Sequence, residues 1–75
     1  MENSRMRYWS FADYTIDANN QMIPEVVTLS ESEILIQYWD YWCSRMIAVN
    51  KQHLITKENC VTDWVICNMA WETSV

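Results

Sequence analysis

The sequence predicts an α+β fold, an N-terminal antiparallel β-hairpin packed against two α-helices (ββαα). Three observations predict it. Aromatic and β-branched residues crowd positions 7–29 on either side of one turn signal, ANNQ. SESE at 30–33 opens a stretch of helical apolar spacing that runs to about residue 49. A second such stretch follows Thr56 and runs to about residue 72. At 75 residues the chain makes one small domain, 1–75.

The first strand is RYWSFADYTID. Alternation puts Tyr8, Ser10, Ala12, Tyr14 and Ile16 on one face and Trp9, Phe11, Asp13, Thr15 and Asp17 on the other. Neither face is cleanly polar, so partial cover on both sides is expected. MIPEVVTL (22–29) is the second strand, with Ile23, Glu25, Val27 and Leu29 on one face. Pro24 lacks a backbone donor and places this strand at an edge.

SESE is a capping box, in which Ser30 and Glu33 satisfy each other's backbone N–H groups. In the first helix Leu35, Trp39, Trp42, Met46 and Val49 form the stripe, widened by Ile34, Tyr38 and Tyr41. Within it, YWDYW (38–42) spans an arc of about 160° on the helical wheel, and Asp40 points away. KQHLI (51–55) is a connector whose Leu54 and Ile55 are expected on the core. In the second helix Cys60, Trp64, Cys67 and Trp71 form the stripe, and Glu58 lies near the positive end.

The chain has no Gly and one Pro. Backbone positions with positive φ therefore fall to Asn, which marks Asn19, Asn20 and Asn50. Hydrophobic residues make up 51% of the chain, with five Trp, four Tyr and one Phe. So short a chain buries only about 60% of its unfolded surface. Some of Trp9, Tyr14, Tyr38, Tyr41 and Trp71 are thus expected at the surface, where Trp and Tyr favour interfaces. A homo-oligomer or an apolar partner site follows as an expectation.

The net charge is −5, and residues 1–40 carry all of it. An acidic chain is a poor binder of phosphate backbones, so direct DNA or RNA binding is not expected. No apolar run is long enough for a membrane span, and the N-terminus lacks an apolar signal core. A cytosolic location is expected, with Cys43, Cys60 and Cys67 as free thiols. Cys60 and Cys67 on one helix lie about 10.5 Å apart along its axis, too far for a disulfide.

The residues for catalysis are sparse. His53 is the single histidine, and no local pattern ties it to a nucleophile or an orienting acid. The cysteines lack paired metal-ligand spacing, and a chain without Gly has no Gly-rich phosphate loop. The reading is therefore not an enzyme, with no metal and no cofactor. RMRYWSF is different: Arg5 and Arg7 stand beside Tyr8, Trp9 and Phe11, a cluster able to stack a base and hold a phosphate. Asp63 and Asn68 lie about 140° apart on the second helix and can each bond a neighbouring element or a ligand. The candidate ligand or partner contacts are Arg5, Arg7, Trp9, Tyr14, Tyr38, Tyr41, Asp63, Asn68 and Trp71.

NCVTDWVICNMAWE (59–72), preceded by PEVVTLSESEILIQYWDYW (24–42), resembles small accessory proteins of tailed bacteriophages, including T4-like and cyanobacterial phages. The shared elements are an opening strand like YWSFADY, a YW-D-YW helix and a closing C-x-x-D-W-x-x-x-N-x-A-W. In this chain the last comprises Cys60, Asp63, Trp64, Asn68, Ala70 and Trp71. The resemblance covers most of the chain and implies an accessory protein in the cytoplasm of an infected bacterial host. The leading expectation is noncatalytic inhibition of a host protein, such as an antiviral-defence factor, through an acidic, aromatic surface. The alternatives are a sponge for a host cyclic-nucleotide signal and a minor structural or assembly protein.

Overall fold

A computed structural model describes residues 7–74. Strands β1 (Tyr8–Ile16) and β2 (Met22–Ser30) form the antiparallel hairpin, with Tyr8 opposite Ser30 and Ile16 opposite Met22. Helices α1 (Glu31–Ala48) and α2 (Lys57–Asn68) follow, joined through a 3₁₀ turn at Gln52–Leu54. A short third strand, β3 (Trp71–Thr73), returns to pair antiparallel with the start of β1, so the sheet order is β2-β1-β3.

The turn between β1 and β2 is built by Asp17 and Asn20. Asn20 N donates to Asp17 O at 3.0 Å, and Asn20 takes φ 65. Asp17 Oδ1 also accepts from the amides of Asn19 and Gln21, both at 2.9 Å. This is a type I turn followed by a left-handed residue, a hairpin closure usually made with Gly. Asn50, at φ 62, ends the first helical segment in the same conformation. Two of the asparagines marked in the sequence thus occupy left-handed positions.

The capping box is formed. Glu33 N donates to Ser30 Oγ at 3.2 Å, and Ser30 N donates to Glu33 Oε1 at 2.8 Å. These bonds hold the Glu33 carboxyl below its ordinary range. Thr56 caps α2 by accepting from Asn59 N at 3.0 Å.

The second helix is shorter than its apolar spacing predicts. It ends at Asn68, because Met69 turns to φ 52 and reverses the chain. Met69 N donates to Ile66 O and Ala70 N to Val65 O, which satisfies the last carbonyls and releases residues 71–73 to the sheet. Trp71 is therefore a strand residue, and Cys67 is exposed rather than part of a buried stripe. Val49 and Leu54 are also more exposed than expected, since α1 ends at Ala48 and the connector lies over the end of the helix pair.

Ile34, Val61 and Trp64 form the core, with Trp9, Phe11, Leu29, Leu35, Tyr38 and Val65 packed around them. Phe11 meets Trp64 edge to face at 5.2 Å. Each such buried side chain stabilises the fold by about 1.5–3 kcal/mol. Trp9, Phe11 and Leu29 place the helices on one face of the sheet, over its Tyr8–Phe11 half. The radius of gyration is 14.9 Å, against about 11 Å for a compact domain of this length. Beyond Phe11 on β1 and Leu29 on β2 no hairpin residue packs against this core, so the far half of the hairpin projects past the helices.

Candidate functional site

The projecting half of the hairpin carries a group of exposed apolar side chains. Directly opposed residues share a face. The register therefore groups Ala12, Tyr14 and Ile16 with Val26, Pro24 and Met22 on the face turned away from the helices. Tyr14 is 56% exposed, Ile16 67%, Met22 66% and Val26 64%. Trp71, opposite Ser10, adds an exposed indole to the same face. Beneath it Ser10 Oγ shares hydrogen bonds with Thr28 Oγ1 and Thr73 Oγ1, which ties all three strands together. Among the described residues no helix lies over this face.

A second feature is a groove of about 480 Å³ between the start of β1, the start of α1 and α2. Leu35, Val61, Val65 and Ile66 are its apolar lining, and its rim includes Arg7, Trp9, Glu31, Lys57 and Glu58. Arg7 does not stand free in it. Its Nε and Nη2 donate to the two carboxylate oxygens of Glu72 at 3.0 and 3.1 Å. Its guanidinium carbon lies 4.9 Å from the Trp9 ring centre, and Nη1 is 3.8 Å from Glu31. Trp9 Nε1 in turn donates to Glu31 Oε2 at 3.2 Å. The hydrogen bond to Glu72 raises the Arg7 pKa and lowers that of Glu72.

The predicted contact residues thus separate. Arg7 and Trp9 sit in the groove, while Tyr14 and Trp71 share the outer face of the sheet. Arg5 lies outside the described residues. Asp63 accepts a 2.6 Å hydrogen bond from Trp42 Nε1, and Asn68 Nδ2 donates to Trp64 O within its own helix. Tyr38 is half-buried and Tyr41 exposed; their rings lie 5.6 Å apart. Burial first, then the adjoining Cys67, raises the Tyr38 phenol. Within YWDYW the aromatics therefore divide between core and surface: Trp42 is 1% exposed, whereas Tyr41 faces solvent under Arg45.

Sequence reasoning missed Glu72 as the partner of Arg7 and Trp42 as the donor to Asp63. Neither pair has a local signal, because the partners are 65 and 21 residues apart. It also gave Ile16, Met22 and Val26 no role, although hairpin alternation already puts them on the face of Tyr14. Among the described residues no group of three or more His, Cys, Asp or Glu is placed to hold a metal ion. None of the described helices is long and apolar enough to cross a membrane. No protein-family model matches the chain, and neither does any curated protein or solved structure.

Proposed function

We propose that this protein acts by noncatalytic binding, docking the outer face of its hairpin sheet on a partner protein. The observation that carries the reading is the row Tyr14, Ile16, Met22 and Val26, open to solvent beside Trp71. Contiguous apolar patches beyond a few hundred Å² mark interaction sites rather than ordinary surface. A third strand and the Ser10–Thr28–Thr73 hydrogen bonds brace the Tyr8–Ser10 end of this face, beside Trp71.

Charge selects the partner. No Lys, Arg or His occurs from Tyr8 to Ser44, while Asp13, Asp17 and Glu25 lie on the projecting hairpin. The complementary surface has an apolar centre and a rim of Lys and Arg. Asp13 and Glu25 lie on the helix side of the sheet and Asp17 at its turn, so a partner whose basic rim reaches around the edge of the hairpin meets these acids, whereas a second copy brings none of that positive charge. The resemblance to phage accessory proteins points to a host protein, including a defence factor, and occlusion of that protein's basic site is the inhibitory effect. The nucleotide-sponge reading is weaker, because Glu72 and Glu31 already occupy the Arg7 guanidinium.

The test is site-specific photo-crosslinking in cells that produce the protein. A crosslinker at Val26 is expected to trap one defined protein carrying a basic patch, whereas one at Ile36, on the exposed side of α1, is not. Equal trapping at both positions, or at neither, rejects the outer face as the docking surface.

A further inference from the structure

The edge of β1 is as informative as its face. The strand has nine residues, but β3 pairs with Tyr8–Ser10 alone. From Phe11 to Ile16 one side of β1 has no strand beside it among the described residues.

The phase of the ladder tells which backbone groups point there. Asp17 N donates to Gln21 O and Glu31 N donates to Arg7 O, so the odd-numbered positions of β1 direct their polar groups towards β2. Antiparallel strands alternate in this respect. The N–H and C=O groups of Ala12, Tyr14 and Ile16 therefore face the open side. The Tyr14 amide has found a substitute acceptor there, Asp13 Oδ1 at 2.8 Å. The far edge of β2 is different. The same phase turns Pro24 outward, and Pro has no N–H to offer an incoming strand. Of the two long edges of the hairpin, that of β1 is the one left able to pair.

We propose that this edge accepts an extended segment of the partner protein as an added strand, with apolar and basic side chains in alternation. The proposal rests on the binding function above and deepens it. A strand laid beside Ala12–Ile16 sends every second side chain to the outer face, onto Tyr14, Ile16 and the end of β3 at Trp71. Its other side chains go to the helix side, where Asp13 and, across the hairpin, Glu25 supply negative charge without a nearby base. Main-chain hydrogen bonds supply affinity in this mode, and the alternate side chains supply specificity. A second copy pairing by the same edge would place both Asp13 carboxylates on one face of the ladder, directly opposite when the pairing centres on Asp13 and diagonal when it centres on Tyr14, and like charges so placed are unfavourable.

The test is amide hydrogen exchange on the whole chain, followed by NMR, with a blocked synthetic peptide of alternating Lys and Val at millimolar concentration. The controls are the same peptide N-methylated at alternate residues and a Glu–Val peptide. The proposal predicts that the Lys–Val peptide slows exchange at Ala12, Tyr14 and Ile16 at least tenfold, and that neither control does. Unchanged exchange at these three amides overturns it. If the side-chain signals of Ile16, Val26 and Trp71 nevertheless shift, docking on the outer face stands and strand addition alone fails. Slowing that appears without peptide, as protein concentration rises, overturns it in favour of pairing between two copies.

Discussion

The indole N–H of Trp42 donates to Asp63 Oδ2 at 2.6 Å, a charge-assisted hydrogen bond that pins α1 to α2 beside the buried Trp42 ring. Hydrogen bonds to charged groups contribute about 1.5–3 kcal/mol, and a buried donor left alone loses more than its bond. Asp63→Ala is therefore expected to lower stability by about 2 kcal/mol. In a domain of this size that is a fall in Tm of roughly 10 °C. A thermal melt checks it, and a change within about 2 °C would show that the contact does not hold the helices together. Trp42→Phe combined with Asp63→Ala should cost less than the sum of the two single changes, since both remove the same bond.

Met69 adopts φ 52, a left-handed conformation that favours Gly, and its side chain is 84% exposed. Little packing is lost by removing it. Met69→Gly should stabilise the protein by about 0.5–1 kcal/mol, because the left-handed backbone is unfavourable for residues bearing a Cβ. Chemical denaturation measures this as a rise in the midpoint with an unchanged slope. A destabilised variant would mean that the Met69 side chain holds the turn into β3.

The Arg7–Glu72 pair couples β3 to the start of β1. Glu72 titrates below its ordinary value of 4.5 in the folded protein, chiefly through the hydrogen bond to Arg7. Its folded pKa is below its unfolded one, so its contribution is complete above about pH 4.5 and is lost as pH falls through the folded value. The wild type and Glu72→Gln should therefore differ most in Tm near neutral pH and converge in acid. A constant difference down to pH 2 would remove the ion pair as the cause. The pair is exposed and bidentate, so salt should narrow the difference as well.

The three cysteines should react in a fixed order. Cys67 is exposed, Cys43 half-buried and Cys60 buried, and burial pushes the Cys60 thiol up to about 11. A thiol-specific colour reagent at pH 8 is expected to modify Cys67 first, Cys43 next and Cys60 only after unfolding. Early modification of Cys60 would show that α2 opens readily from α1. Since Tyr38 adjoins Cys67, blocking Cys67 should also perturb the Tyr38 signal in NMR.

The features legible in the sequence were those encoded by neighbours along the chain. The hairpin, the capping box at Ser30 and Glu33, and the left-handed Asn20 and Asn50 all follow from local stereochemistry. β3 was hidden because three residues, Trp71–Thr73, are too few to show alternation, and because the apolar spacing of α2 runs on through Trp71. The helix stops where Met69 reverses, a position that carries no Gly signal. The candidate site was legible in kind rather than in place. Surplus aromatics gave an exposed apolar surface, and Tyr14 and Trp71 do share a face. Arg7, however, looked free for a phosphate, and its engagement by Glu72 depends on a contact between the two ends of the chain.

The most direct test of the central claim is native mass spectrometry of the protein recovered from the cells that produce it. Wild type would be compared with a variant carrying Ile16→Glu and Val26→Glu, two exposed positions whose change spares the core. The account predicts a complex of the wild type with one basic protein, absent from the variant although the variant remains folded by circular dichroism. A wild type that appears solely as a homo-oligomer, or with a small molecule bound and no protein partner, would contradict it.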